Sequence, residues 1–281
     1  MKKIIGNLIT KTVGFYFNFA SLFVPKKIAK KAFLLFCTPR KGKVLKSQKG
    51  FLEDAKDLIL EEDQIIIQTY RWKGSGPTVL LMHGWESNSF RWRNIIPHLQ
   101  KENYNIIALD APAHGNSSGD TFNLPLYSSC AQNVINTYNP SFVIGHSIGG
   151  MTALHNLYKY EKENKTIVKV VTLGSPSELT DFMKQYKKML GLSNRMMRLQ
   201  KKYFRETFGF KFADFSSPKF VKNNTKMGLL IHDELDKIAP FWSSEQVHAH
   251  WKGSKLITTK GLGHSLHQDK VRYEIIDFLK S

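Results

Sequence analysis

One short stretch of the 281-residue chain concentrates groups that could activate a hydroxyl: Gly145-His146-Ser147-Ile148-Gly149, followed by Gly150. A serine hydroxyl attacks poorly until a base takes its proton, and it gains reach on a tight turn between a strand and a helix, where only small neighbours fit. The flanking sequence supplies that setting, because the apolar run FVI ends at Gly145 and a helical pattern starts at Met151. Attack on a carbonyl also needs N–H donors aimed where the oxyanion forms. The N–H of Ile148, directly after the serine, is one candidate. The other is Trp85 in His83-Gly84-Trp85, which follows the apolar run TVLLM, with Gly84 letting the backbone turn inward.

Ten histidines compete for the role of base. His264 lies in Gly261-Leu262-Gly263-His264-Ser265, a flexible loop between the last strand-like run and the last helical pattern, and His267 is the near alternative. His248 and His250 read as surface residues of a polar helix, His146 as packed inside the turn, His83 as a support of the Trp85 loop, and His114 as a turn residue. An acid that orients the imidazole needs only a fixed loop at a strand end. Asp233, Glu234 and Asp236 all stand in such a segment, IHDELDKIAP.

These residues need a scaffold that brings strand ends together, and the pattern around them supplies one. Strand-like runs at 64–72, 78–82, 104–109, 141–144, 167–173, 227–231 and 255–259 alternate with helical patterns at 90–100, 125–138, 148–162, 243–251 and 269–279. Short β-branched runs, several apolar throughout, fit a sheet covered on both faces, so the expectation is a doubly wound, mostly parallel α/β sheet. One interval breaks the rhythm. About fifty residues separate the runs ending at Leu173 and starting at Met227, and Leu192, Met196, Leu199 and Tyr203 fall there at helical spacing. Residues 177–226 are therefore expected to form a helical cap insertion.

The formal charge of +18 is unevenly spread: twelve Lys and Arg residues and no Asp or Glu fall in the first fifty. A charge so concentrated reads as a local surface for an anionic partner. Residues 1–50 are expected to be a basic, aromatic-rich helical extension, ending in the linker-like stretch RKGKVLKSQKG, with the catalytic domain over 51–281. The run VGFYFNFASLFV is too short to span a bilayer and lacks a small-residue cleavage site directly after it. It fits a signal or anchor, an amphipathic helix peripheral to an anionic membrane, or a helix packed on the protein itself. The lysines lie outside the α/β pattern and no base-reading motif accompanies them, which argues against nucleic acid as partner. Cys37 and Cys130 have neither metal-type spacing nor the density of a disulfide framework, which fits the reducing cytoplasm.

With these motifs in order, the chain resembles the α/β-hydrolase superfamily of serine esterases, lipases and thioesterases over roughly residues 64–279. Asp110-Ala111-Pro112-Ala113-His114-Gly115-Asn116-Ser117 is similar to the family's Asp-x-x-Gly-His-Gly-x-Ser loop, with Ala113 in place of a glycine. Asp236 followed by Ile238-Ala239-Pro240 resembles its acid loop. The resemblance implies Ser147, Asp236 and His264 as catalytic triad in the family's chain order, and Trp85 and Ile148 as oxyanion hole. It implies no metal and no cofactor. A serine at 147 argues against the branches that use an aspartate nucleophile. The expected activity is hydrolysis of a carboxylic ester or thioester of a small-molecule acyl substrate through an acyl-enzyme. Acyl transfer on the same triad, or a ligand-binding or scaffolding protein of this fold, are the rivals.

Overall fold

The computed structural model describes residues 2–281, with side chains from residue 8; the side chains of Lys2 and Lys3 in the basic segment lie outside the described residues. Eight strands form one sheet: β1 (Lys56–Glu62), β2 (Ile65–Trp72), β3 (Thr78–Met82), β4 (Asn105–Leu109), β5 (Phe142–His146), β6 (Lys169–Leu173), β7 (Met227–Asp233) and β8 (Ser254–Thr259). Their order is β1-β2-β4-β3-β5-β6-β7-β8. From β4 onward all neighbours run parallel, whereas β2 is antiparallel to both β1 and β4. This is the mostly parallel α/β sheet that the alternating pattern predicts. Every residue of β4, β5 and β6 is buried, as continuous apolar strands in a doubly covered sheet must be.

Strand β1 has no counterpart in the sequence reading. Its apolar centre, Leu58-Ile59-Leu60, is short and flanked by Lys56, Asp57, Glu61 and Glu62, and it lies exposed at the sheet edge. Charge on an edge strand discourages pairing with other chains while hiding the strand's periodicity.

The helices are α1 (Lys2–Ala20), α2 (Pro25–Cys37), α3 (Lys46–Glu53), α4 (Ile96–Lys101), α5 (Leu124–Tyr138), α6 (Ile148–Lys159), α7 (Leu179–Leu190), α8 (Asn194–Phe208), α9 (Ser217–Val221), α10 (Trp242–His250) and α11 (Asp269–Lys280). Two differ from expectation. The helix expected over 90–100 divides into a 3-10 turn, Ser89–Asn94, and α4, because Pro97 at the start of α4 cannot continue an earlier hydrogen-bonded turn. The second half of the expected linker folds as α3, where the Gln48 side chain accepts from the Leu45 N–H at 2.9 Å and Leu52 joins the core.

The chain divides into two compact units, Met1–Thr38 with Glu178–Ser216, and Pro39–Ser177 with Ser217–Ser281. The second carries the sheet. The first is helical, and its N-terminal helices dock on α7 and α8. Gly14 of α1 lies so close to α7 that a Cβ there would stand 1.8 Å from the Leu190 carbonyl oxygen. Asn18 donates to the Gly191 carbonyl at 2.9 Å and accepts from the Ser193 N–H at 2.8 Å, bridging the turn between α7 and α8. From α2, the Ala29 and Ala32 carbonyls accept from Gln200 and Tyr186, and Phe33 packs among Tyr203, Phe204 and Phe208. The opposite face of α1 stays exposed along Leu8, Phe15 and Phe19, and the turn after it exposes Leu22 and Phe23. Among the described residues no helix is long and apolar enough to cross a membrane.

Candidate active site

The strand order reverses at β3, since β4 follows on one side of it and β5 on the other. Open α/β sheets bind ligands outside the strand C-termini at such a point. Met82 pairs with Gly145, so the loops leaving β3 and β5 start side by side. A Cβ on Gly84 would lie 2.9 Å from that of Ser147.

Ser147 caps α6 with φ 53° and ψ −126°, a left-handed conformation that a non-glycine residue adopts at a cost. Its N–H donates to the Leu173 carbonyl at 2.8 Å, and its own carbonyl accepts from the Gly150 N–H at 2.9 Å. The flanking glycines are steric necessities. A Cβ on Gly145 would stand 2.5 Å from the Gly150 Cα, and one on Gly149 2.2 Å from the Met82 carbonyl oxygen. Ile148 opens α6, so its N–H is among those that a helix start leaves without an intrahelical acceptor, at the positive end of the helix dipole. Among the described residues no acceptor takes the Trp85 N–H either. The Trp85 ring packs edgewise on His114 and Phe122 and is partly exposed.

His264 and Asp236 meet at the ends of β8 and β7, with Nδ1 donating to Oδ2 at 2.7 Å. The proton on Nδ1 leaves the Nε2 lone pair free to act as a base. Asp236 Oδ1 accepts from the Ile238 and Ala239 N–H groups at 2.7 and 3.1 Å. Burial by itself raises the Asp236 carboxyl, but hydrogen bonds from His232, His264 and the Ile238 N–H outweigh it and hold the group well below the usual carboxylate range. Gly174, at φ 53°, leaves room for the pair, because a Cβ there would stand 3.3 Å from both Asp236 Oδ2 and His264 Nδ1. Among the described residues the Ser147 hydroxyl makes no hydrogen bond to His264. Such contacts often tighten only once substrate is bound.

The other candidates take different places. Asp233 accepts from the Leu262 N–H at 2.8 Å, the Thr259 hydroxyl at 2.9 Å and the Leu235 N–H at 3.0 Å, tying down the base of the His264 loop. Glu234 is exposed. His267 makes no contact with Asp236; burial, then Arg91, Arg93 and Arg272, push its imidazole down to about 4. His248 and His250 lie on the exposed side of α10. His83 donates from Nδ1 to the Gly84 carbonyl at 2.8 Å and accepts the Ala111 N–H on Nε2 at 2.9 Å.

His114 is a turn residue, as the sequence reading has it: its N–H donates to the Ala111 carbonyl at 3.0 Å and its carbonyl accepts from the Ser117 N–H at 3.0 Å. It is also buried, and its Nε2 accepts the Glu86 N–H at 2.9 Å, which fastens the Trp85 loop. Three further side chains support the site, of which the sequence reading placed only His146, packed inside the turn. His232 takes the Ser244 hydroxyl on Nδ1 at 2.6 Å and directs Nε2–H at the Ala239 carbonyl, 3.4 Å from Asp236 Oδ2. His146 donates from Nε2 to the His264 carbonyl at 2.9 Å, and Arg91 donates to the Ser265 carbonyl at 2.6 Å.

A family model for the alpha/beta hydrolase fold matches residues 77–217. An uncharacterized hydrolase of Bacillus subtilis, YugF, is 24% identical over 249 residues, covering 72% of this chain and 90% of its own. Esterase Rv0045c of Mycobacterium tuberculosis is 33% identical over 93 residues, 31% of this chain and 30% of its own. Among solved structures, mouse alpha/beta hydrolase domain-containing protein 10 superposes with a TM-score of 0.65 at 15% identity, covering 80% of this chain and 97% of that one. The family match spans half the chain and takes in both the Trp85 loop and the Ser147 turn, and on that ground the chain belongs to the α/β-hydrolase family and is an enzyme of hydrolase type.

Proposed function

We propose that the protein hydrolyses a carboxylic ester or thioester through an acyl-enzyme, and the observation that carries this reading is the 2.7 Å contact of His264 with Asp236, on strand ends of the sheet that also bears Ser147 on its strained turn. Ser147 Oγ attacks the acyl carbon while its proton passes to His264 Nε2. Asp236 stays ionised and stabilises the imidazolium. The oxyanion is received by the N–H groups of Trp85 and Ile148. Collapse expels the alcohol or thiol, which takes its proton from His264; water then repeats the sequence on the acyl-enzyme. The matched stretch of the Mycobacterium protein, named an esterase, supports this choice of reaction class. A fluorophosphonate should form one adduct, on Ser147, and Ser147→Ala should abolish both labelling and turnover of p-nitrophenyl acetate. A folded wild-type protein that neither labels nor cleaves the ester would overturn the reading.

The inserted helices leave the sheet after β6 and return before β7. The exposed apolar face of α1, beside the lysines that open α2, supports peripheral contact with an anionic membrane. Cys37 and Cys130 are buried free thiols, in keeping with the cytoplasm.

A further inference from the structure

A cavity of about 680 Å³ opens within the sheet-bearing unit. Arg40, Lys41, Lys43, Arg91 and Arg93 line it, against one carboxylate, Glu86. Two of its walls continue the loops already described. Glu86 follows Trp85, and Arg91 holds the carbonyl of Ser265, the residue after His264. The cavity wall is therefore continuous along the chain with the loops that carry Trp85 and His264, through Glu86 and His267.

Among the described residues none of the five cations forms an ion pair. Lys43 donates to the Ser117 carbonyl at 3.1 Å, and Arg93 stacks on the Phe90 ring at 4.6 Å. Arg91 is the most telling, because its Nε is buried with no partner at all. Burial, then the charge of Arg93, pushes the Arg91 guanidinium down to about 9. A desolvated cation without a counter-ion is costly, and a fixed anion would relieve it. His267, also on the wall, stays neutral in this field and can share a hydrogen bond without adding charge.

We propose that this cavity binds a phosphate-bearing part of the substrate while its acyl carbon sits at Ser147. This rests on the serine-hydrolase reading and deepens it. Five cations against one carboxylate suit a dianionic or more highly charged group better than a lone carboxylate, and paired guanidinium forks match phosphate oxygens. The volume accommodates more than a single phosphate. The same chemistry is offered by a soluble phosphorylated thiol such as coenzyme A and by a phospholipid headgroup.

Two substrate pairs separate these sources. Octanoyl-coenzyme A is compared with the octanoyl thioester of N-acetylcysteamine, and dioctanoyl phosphatidylglycerol with dioctanoylglycerol, the second member of each pair lacking the whole phosphate-bearing part. In at least one pair kcat/KM should favour the phosphorylated member by about tenfold or more at low salt, the preference shrinking as salt rises. Lys41→Gln with Arg93→Gln should bring that ratio towards one, with circular dichroism as folding control. Binding of inorganic pyrophosphate, measured by calorimetry, reads the cavity without turnover and should weaken about tenfold in the double variant. Ratios near one in both pairs, or pyrophosphate binding that is absent or unchanged in the variant, would overturn the proposal. Fluorophosphonate labelling of Ser147 tells this failure apart from failure of the hydrolase reading.

Discussion

Asp236 and Asp233 stand three residues apart and are held by different neighbours. Asp236 Oδ2 faces His264 and lies within 3.4 Å of the His232 ring, whereas Asp233 is surrounded by backbone N–H groups and the Thr259 hydroxyl. Asp236→Asn removes the charge that stabilises the imidazolium, so turnover should fall by roughly 10³–10⁴-fold with the fold intact. Asp233→Asn should cost far less activity, and its loss should track the stability of the His264 loop. Steady-state kinetics of the two variants beside circular dichroism checks this, and a dead Asp233→Asn beside an active Asp236→Asn would reverse the assignment. The Ser147 turn was legible because its demands are local, glycines and a strand-to-helix change within six residues. Asp236 was legible only through resemblance to a known loop. His232 and Arg91 were not, since what they hold is set by contacts that close only in the folded chain. Local spacing likewise made the turn at His114 legible, but not the bond of its ring to the Glu86 backbone, 28 residues away.

At the scale of elements, α1 presents two faces of unlike character. One is fixed by Gly14 and Asn18 against α7 and the turn that follows it. The other leaves Phe15 72% exposed and runs on into the turn after the helix, where Phe23 is 70% exposed, an apolar row followed in the chain by Lys26, Lys27, Lys30 and Lys31. Such a row is what an interfacial helix buries among lipid headgroups while lysines meet the anionic surface. Vesicles containing phosphatidylglycerol should therefore bind more tightly than neutral ones, and less so as salt rises. Phe15→Ser with Phe23→Ser should weaken binding by at least about tenfold, at roughly 1.5–3 kcal/mol for each apolar side chain no longer buried. Co-sedimentation with the two lipid compositions reads this out, and equal binding to both would remove the electrostatic part. The sequence showed that α1 has an apolar character but not what covers it, because periodicity marks a face without naming its partner.

Across the whole molecule, the protonation state of buried imidazoles couples stability to pH. Burial holds His83, His114, His155 and, with neighbouring arginines, His267 at about 4, and pushes His146 well below its ordinary value. Unfolded histidines titrate near 6.5, so between about 6.5 and 4 the unfolded chain binds protons that the folded chain refuses. The contribution is complete above that window and declines as pH falls through it. Near pH 5 unfolding should take up on the order of four protons. Urea midpoints at pH 7.5, 6 and 5 test it; a midpoint that does not fall across that range would contradict the assignment of these rings as neutral. The same packing bears on how the polypeptide is made. Helices α1 and α2 complete their unit with residues 178–216, so they leave the ribosome ahead of roughly 140 residues of the other unit. At about 5–20 residues per second, that is an interval on the order of ten seconds or more in which Phe17, Ile28 and Phe33 have no place to go. The apolar faces of α1 and α2 therefore stay uncovered until α7 and α8 have been synthesised, and through that interval an aromatic segment needs shelter, from a chaperone or from a lipid surface.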